Sequence, residues 1–141
     1  MTTIANVQDS QPRFTLTVQI PMSKDFLRHV QRIAMTNPNA CPRWGKVVER
    51  RDDQGPTYLF DEHEWEGLQL RPPPHRIDLY TIQRGLAKIF DAKYQLSMAT
   101  RQMVLRALFE QTINGQNGVL ALLPSLCDQI VQLALYDQVV Y

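Results

Sequence analysis

Three features of the sequence predict an α+β fold: a period-two strand pattern at residues 13–20, two β-prone runs around a turn-rich stretch at residues 51–56, and capped, helix-spaced apolar stripes through most of the remainder. The expected arrangement is a small antiparallel sheet, built from an N-terminal strand and a central hairpin and packed by about four helices, with residues 139–141 as a candidate edge strand.

Residues 1–12 show no hydrophobic period and are expected to form a mobile arm, with a single domain over 13–141. Phe14, Leu16, Val18 and Ile20 then alternate with Arg13, Thr15, Thr17 and Gln19, the pattern of a strand with one buried face. Pro21 ends it. Ser23 is placed as an N-cap, Asp25 sits in the first turn, and Met22 can staple to Leu27. The helix that follows reaches about Thr36, buries Phe26, Leu27, Val30, Ile33 and Ala34, and leaves Lys24, Arg28, Gln31 and Arg32 outside that stripe. Asn37-Pro38-Asn39 stops it.

Residues 44–50 and 57–60 read as an antiparallel hairpin closed by Arg51-Asp52-Asp53-Gln54-Gly55-Pro56. Asp61-Glu62-His63-Glu64 reads as a solvated acidic exit, Leu68 and Leu70 as a short extended piece, and Pro72-Pro73-Pro74 as a stiff connector. Asp78 is an N-cap for a helix to about Phe90 whose buried stripe is Ile82, Leu86, Ile89 and Phe90. Ser97 caps the next, with Leu105, Leu108 and Phe109 facing inward until Asn114-Gly115. Residues 118–123 form a short apolar turn or helix before Pro124. In the last helix Asp128, Gln129, Gln132 and Tyr136 fall on one narrow stripe, read as the solvent face, and Asp137 is placed to take the left-handed conformation that ends it.

Composition limits the functional classes. The 141 residues carry 15 basic and 14 acidic side chains, a formal net charge of +1, which gives no global attraction to nucleic acid and excludes an acidic mimic of it. No apolar run approaches the roughly twenty residues that span a bilayer, and no basic-then-apolar leader opens the chain, so a soluble, cytoplasmic protein is expected. Cys41 and Cys127 are expected as free thiols.

Candidate chemistry is sparse. His29, His63 and His75 sit in no ligand or catalytic motif, and neighbouring strand residues in Asp61-Glu62-His63-Glu64 point to opposite faces instead of converging on an ion. Cys41, near Arg43, is the one candidate nucleophile. No metal, no cofactor and no catalytic residue is assigned. Charge is segregated instead: residues 22–51 carry seven basic against two acidic side chains, residues 52–67 carry six acids and no Lys or Arg, and no Lys or Arg follows Arg106. Lys24, Arg28 and Arg32 form a basic ridge at helical spacing, and Arg84 and Lys88 a smaller one, able to contact phosphate or an acidic protein surface. Trp44, Tyr58, Trp65 and Tyr80 lie near that region in sequence, and Arg101 and Arg106 are the only candidate base readers of a helix-turn-helix.

The run Ile130-Val131-Gln132-Leu133-Ala134-Leu135-Tyr136-Asp137-Gln138-Val139-Val140-Tyr141, with Asp128 ahead of it, resembles the ending of small uncharacterised proteins of bacteriophages and proteobacterial mobile elements. Tyr80-Thr81-Ile82-Gln83-Arg84-Gly85-Leu86 is similar to their helix start, and Asp137 stands where that pattern favours Gly. The resemblance covers the last third to half of the chain. It implies a mobile-element origin and brings no catalytic residues. The reading that results is a non-enzymatic interaction protein with an unidentified protein partner, able to modulate a host system, with a homodimer as a further option. The alternatives are a nucleic-acid-binding regulator using the basic ridge and a cryptic enzyme or metal protein around His63 and Cys41.

Overall fold

The computed structural model describes residues 22–53, 55–91, 93–114 and 123–141; the expected arm, the expected strand at 13–20 and the turn at 118–122 lie outside the described residues. Among the described residues, four α-helices and a three-stranded antiparallel sheet make an α+β architecture. In chain order these are α1 (Lys24–Thr36), a 3-10 turn (Cys41–Arg43), β1 (Gly45–Asp52), β2 (Gly55–Glu62), a second 3-10 turn (His63–Trp65), β3 (His75–Ile77), α2 (Leu79–Ile89), α3 (Met98–Asn114) and α4 (Pro124–Tyr136).

Local chemistry starts and stops these elements. Ser23 Oγ accepts from Phe26 N at 3.1 Å at the head of α1, and Asn37 closes its other end. Asp78 and Thr81 form a reciprocal capping box on α2. Ser97 Oγ accepts from Thr100 N at 3.1 Å ahead of α3, and Asp137 adopts φ 61° and ψ 9° beyond α4.

The hairpin is tighter than its turn-rich sequence implies. Pairing continues through Arg51↔Pro56 to Asp52↔Gly55, so strand replaces most of the expected loop, and Gly55 makes this possible with φ +113°. The third strand is His75–Ile77, paired with β2 through Tyr58↔Ile77 and Phe60↔His75, immediately after the three prolines. Pro72-Pro73-Pro74 lack the N–H groups a ladder needs, so pairing begins at the first residue that has one. Leu68 and Leu70 form no strand: Leu68 N closes a turn onto Trp65 O, and both side chains are exposed. Residues 139–141 form no edge strand either, and Val140 and Tyr141 are held by hydrogen bonds to the Gln132 side chain.

One cluster of buried side chains joins every layer: Phe26, Val30 and Ala34 of α1, Tyr58 and Phe60 of β2, Ile77, Ile82, Leu86 and Ile89 of β3 and α2, Val104 and Leu108 of α3, and Ile130, Val131 and Leu133 of α4. Each fully buried Leu, Ile or Phe contributes about 1.5–3 kcal/mol relative to exposure. Two expected core positions are on the surface. Phe90 follows the end of α2, and Phe109 is 54% exposed because Val104, Ala107 and Leu108 set the buried face of α3, from which a residue five beyond Val104 points away.

Three helix positions expected at the surface are buried. Gln31 is 1% exposed and its amide donates to Pro56 O and Ile77 O, fastening α1 to the sheet. Asp128 and Gln132, at 2% and 0%, are covered because the 3-10 turn at Cys41–Arg43, Trp44 and the terminal segment close over the polar side of α4. That stripe is an interior seam, not a solvent face.

Helix α4 lies against α2 at Gly85, where an added Cβ would stand 2.1 Å from the backbone oxygen of Ile130. Alanine normally favours a helix over glycine by about 1 kcal/mol. Here the sign should invert: Gly85→Ala is expected to destabilise by about 1–3 kcal/mol through overpacking, read as a lower urea midpoint. An unchanged or raised midpoint would contradict this helix crossing.

Candidate functional site

The sheet and the two helices that flank it leave a groove of about 550 Å³ between the N-terminal half of α1, the hairpin tip and the start of α2. Helix α1 supplies Lys24, Leu27 and Arg28, the hairpin supplies Asp52, Asp53, Pro56 and Thr57, and the segment from β3 into α2 supplies Arg76, Asp78, Leu79, Tyr80 and Gln83. Strand alternation sorts β3: Ile77 enters the core while Arg76 turns outward to the groove. Arg76 Nη2 pairs with Asp52 Oδ2 at 2.9 Å and its Nε lies 3.4 Å from Asp78 Oδ2, joining the hairpin tip to the cap of α2. Asp52 also accepts from the Thr57 hydroxyl at 3.3 Å.

The predicted basic ridge divides. Lys24, Arg28 and Arg32 are all exposed along α1, and the first two line the groove. Arg32 Nη2 lies 3.0 Å from His29 Nδ1. Arg84 is exposed on α2, outside the groove lining. Lys88 is not part of a ridge: its ammonium donates to Leu133 O at 3.1 Å and Ala134 O at 3.3 Å and pairs with Asp137, capping α4. The helix-turn-helix reading also loses its readers. The Arg101 guanidinium donates to Ile89 O, Asp91 O and Tyr94 O, bracing the α2–α3 connection, and Arg106 pairs with Glu110.

A second polar centre surrounds α4. The Asp128 carboxylate accepts from Cys41 Sγ at 3.2 Å, Trp44 Nε1 at 2.8 Å, Arg43 Nη2 at 2.7 Å and Gln132 Nε2 at 3.2 Å. Gln132 Oε1 in turn accepts from Val140 N and Tyr141 N, and the Tyr141 ring stacks on Trp44 at 4.3 Å. Cys41, the candidate nucleophile weighed from the sequence, does not lie in an accessible loop. It is fully buried, and burial, followed by the Asp128 charge and hydrogen bond, pushes its thiol well above the ordinary range. Burial likewise pushes the free Cys127 thiol up to about 12. Thiolate chemistry is suppressed at both.

Adjoining this centre, Glu62 Oε1 accepts from Tyr141 Oη at 2.6 Å, and His75 Nε2 lies 3.1 Å from both Glu62 Oε2 and Tyr136 Oη. The acidic exit was expected to be solvated, but Glu62 is buried because its strand position faces the core side with Tyr58 and Phe60. His75, expected on the surface, is half-buried beside the Trp65 ring at 5.1 Å. Burial would raise the Glu62 carboxyl, but the hydrogen bonds from Tyr141, His75 and Tyr136 outweigh it and hold the pKa below the ordinary value. Burial and the bond to Glu62 raise both phenols, which therefore stay protonated donors. His63 remains exposed in its 3-10 turn, and among the described residues no group of three or more His, Cys, Asp or Glu could hold a metal.

Sequence reasoning found Lys24 and Arg28 through their spacing. Arg76, Asp52 and Asp78 had no comparable signal, because their association depends on β3 pairing beside the hairpin. Among the described residues no helix is long and apolar enough to cross a membrane. Compared with known proteins, the chain matches no family model, no curated protein and no solved structure.

Because the Glu62 pKa is depressed in the folded state, its contribution to stability is present above the unfolded-state value of about 4.3 and is lost as pH falls through the folded-state value. Glu62→Gln should therefore be less stable than wild type at pH 7, with the gap between their urea midpoints shrinking below about pH 4. A gap independent of pH would contradict the ionised role of Glu62.

Proposed function

We propose that this protein is a non-enzymatic interaction protein that docks a protein partner in the groove between α1, the hairpin tip and α2. The observation that carries this reading is the groove's composition. Tyr80 stands 63% exposed at its edge, Leu27, Pro56 and Leu79 give it an apolar lining, and charges of both signs surround them. Exposed aromatic and Arg side chains over an apolar centre with a polar rim characterise protein interfaces. A phosphate backbone has no apolar group for this lining and would bring repeated negative charge beside Asp53, which weighs against the nucleic-acid alternative.

The C-terminal resemblance supports an origin in a phage or mobile element, and such an origin fits modulation of a host system in the bacterial cytoplasm. The suppressed thiols and the engagement of Glu62 and His75 with neighbouring side chains weigh against the enzyme reading.

Site-specific photo-crosslinking in proteobacterial cells tests this function. With a benzophenone side chain at Gln83, in the groove, the expected result is a discrete protein adduct that disappears on Arg28→Glu and is absent with the probe at exposed Arg106. An adduct with a second copy of the chain would make the partner the protein itself. No groove-dependent protein adduct, or a nucleic-acid adduct whose binding weakens steeply with salt, would overturn the reading.

A further inference from the structure

We propose that the groove takes an acidic peptide segment of its partner, one that sets a leucine or aromatic side chain beside its carboxylates. This rests on the groove being the docking face and adds the chemistry of what enters it.

Six charged side chains line the groove, Lys24, Arg28 and Arg76 against Asp52, Asp53 and Asp78, but their pairing is uneven. Arg76 is shared between Asp52 and Asp78. Asp78 is further engaged as the cap of α2, where its Oδ1 accepts from Thr81 N at 3.0 Å. Those two carboxylates are thus already satisfied by groups of the protein itself. Lys24 and Arg28 make no ion pair among the described residues, lie one turn apart on α1 and are both exposed. An incoming chain therefore meets two uncommitted cations along one wall, opposed by Asp53.

The cations stand beside apolar surface. Leu27 lies between them in sequence on the same wall, while Pro56 and Leu79 line the groove with it. A carboxylate bound there is partly screened from water, which strengthens its attraction to Lys24 and Arg28 relative to an open surface. A leucine or aromatic side chain next to it removes the exposed Tyr80 ring and the apolar lining from water. A basic peptide would face Lys24 and Arg28 directly. A polyphosphate would satisfy those two but bring further charges against Asp53 and offer nothing to the apolar lining.

The test pans displayed random dodecapeptides on the immobilised full chain, with the Lys24→Glu/Arg28→Glu double variant as counter-target. Enriched peptides and a labelled single-stranded oligonucleotide are then measured by fluorescence anisotropy at two salt concentrations. Enriched sequences should carry net negative charge next to Leu, Phe, Tyr or Trp, bind the double variant about tenfold more weakly or worse, and lose affinity with salt. Tyr80→Ala should weaken them without removing the charge preference. Circular dichroism melts confirm that these exposed substitutions leave the fold intact. Neutral or basic sequences, equal binding to the double variant, no enrichment, or preferential binding of the oligonucleotide would overturn the proposal. A groove-dependent protein adduct from Gln83 without acidic enrichment would refute the acidic specificity alone; loss of that adduct as well would refute the docking face.

Discussion

The Asp128 carboxylate is the contact on which the rest of the structure depends. It is 2% exposed, and burying a carboxylate without partners costs several kcal/mol. Four donors offset that cost, and they come from separate stretches of chain: Cys41, Arg43 and Trp44 ahead of the hairpin, and Gln132 one turn along α4. Arg43 keeps 44% of its side chain in water, so the pair is anchored in the interior yet partly solvated. Gln132 extends the seam to the terminal backbone, and Trp44 covers it by stacking on Tyr141. The helix, the base of the hairpin and the last residues are thereby held as one unit.

The hairpin separates this seam from the groove. Trp44 and Glu62 stand at its base, while Asp52 and Asp53 stand at its tip, about 25 Å away for a strand of this length. The base is occupied by buried hydrogen bonds whose members satisfy one another, whereas the groove beside the tip is lined by Lys24 and Arg28 of α1, which make no ion pair among the described residues. Stability and the proposed docking therefore draw on different residues, and substitutions at the two ends should combine additively. The three residues of β3 connect them: His75 joins the seam, Arg76 the groove and Ile77 the core.

What was legible in the sequence was local. Ser23, Asp78, Ser97 and Asp137 act on backbone groups within a few residues, so their caps and turns could be read directly. The hairpin was legible from its turn residues, although its pairing runs further than they indicate. Gln31, Asp128 and Gln132 were misread because a polar residue on a helix looks the same whether it meets water or a partner 46 or 87 residues distant. The same ambiguity hid Lys88, whose ammonium serves the end of another helix instead of a basic face. In the groove, Lys24 and Arg28 were readable from their spacing, whereas Arg76 joined them only through a three-residue strand that follows prolines and has too little pattern to detect.

The central claim is most directly tested by a double-mutant cycle in urea unfolding, combining Asp128→Ala with Trp44→Phe, which removes the indole donor but keeps an aromatic ring. Coupling through the buried hydrogen bond at 2.8 Å predicts an interaction energy of about 1–3 kcal/mol, with Asp128→Ala alone costing about 3 kcal/mol or more. Additive effects within about 0.3 kcal/mol would show that Asp128 does not tie the base of the hairpin to α4, and the account of this fold would fail with it.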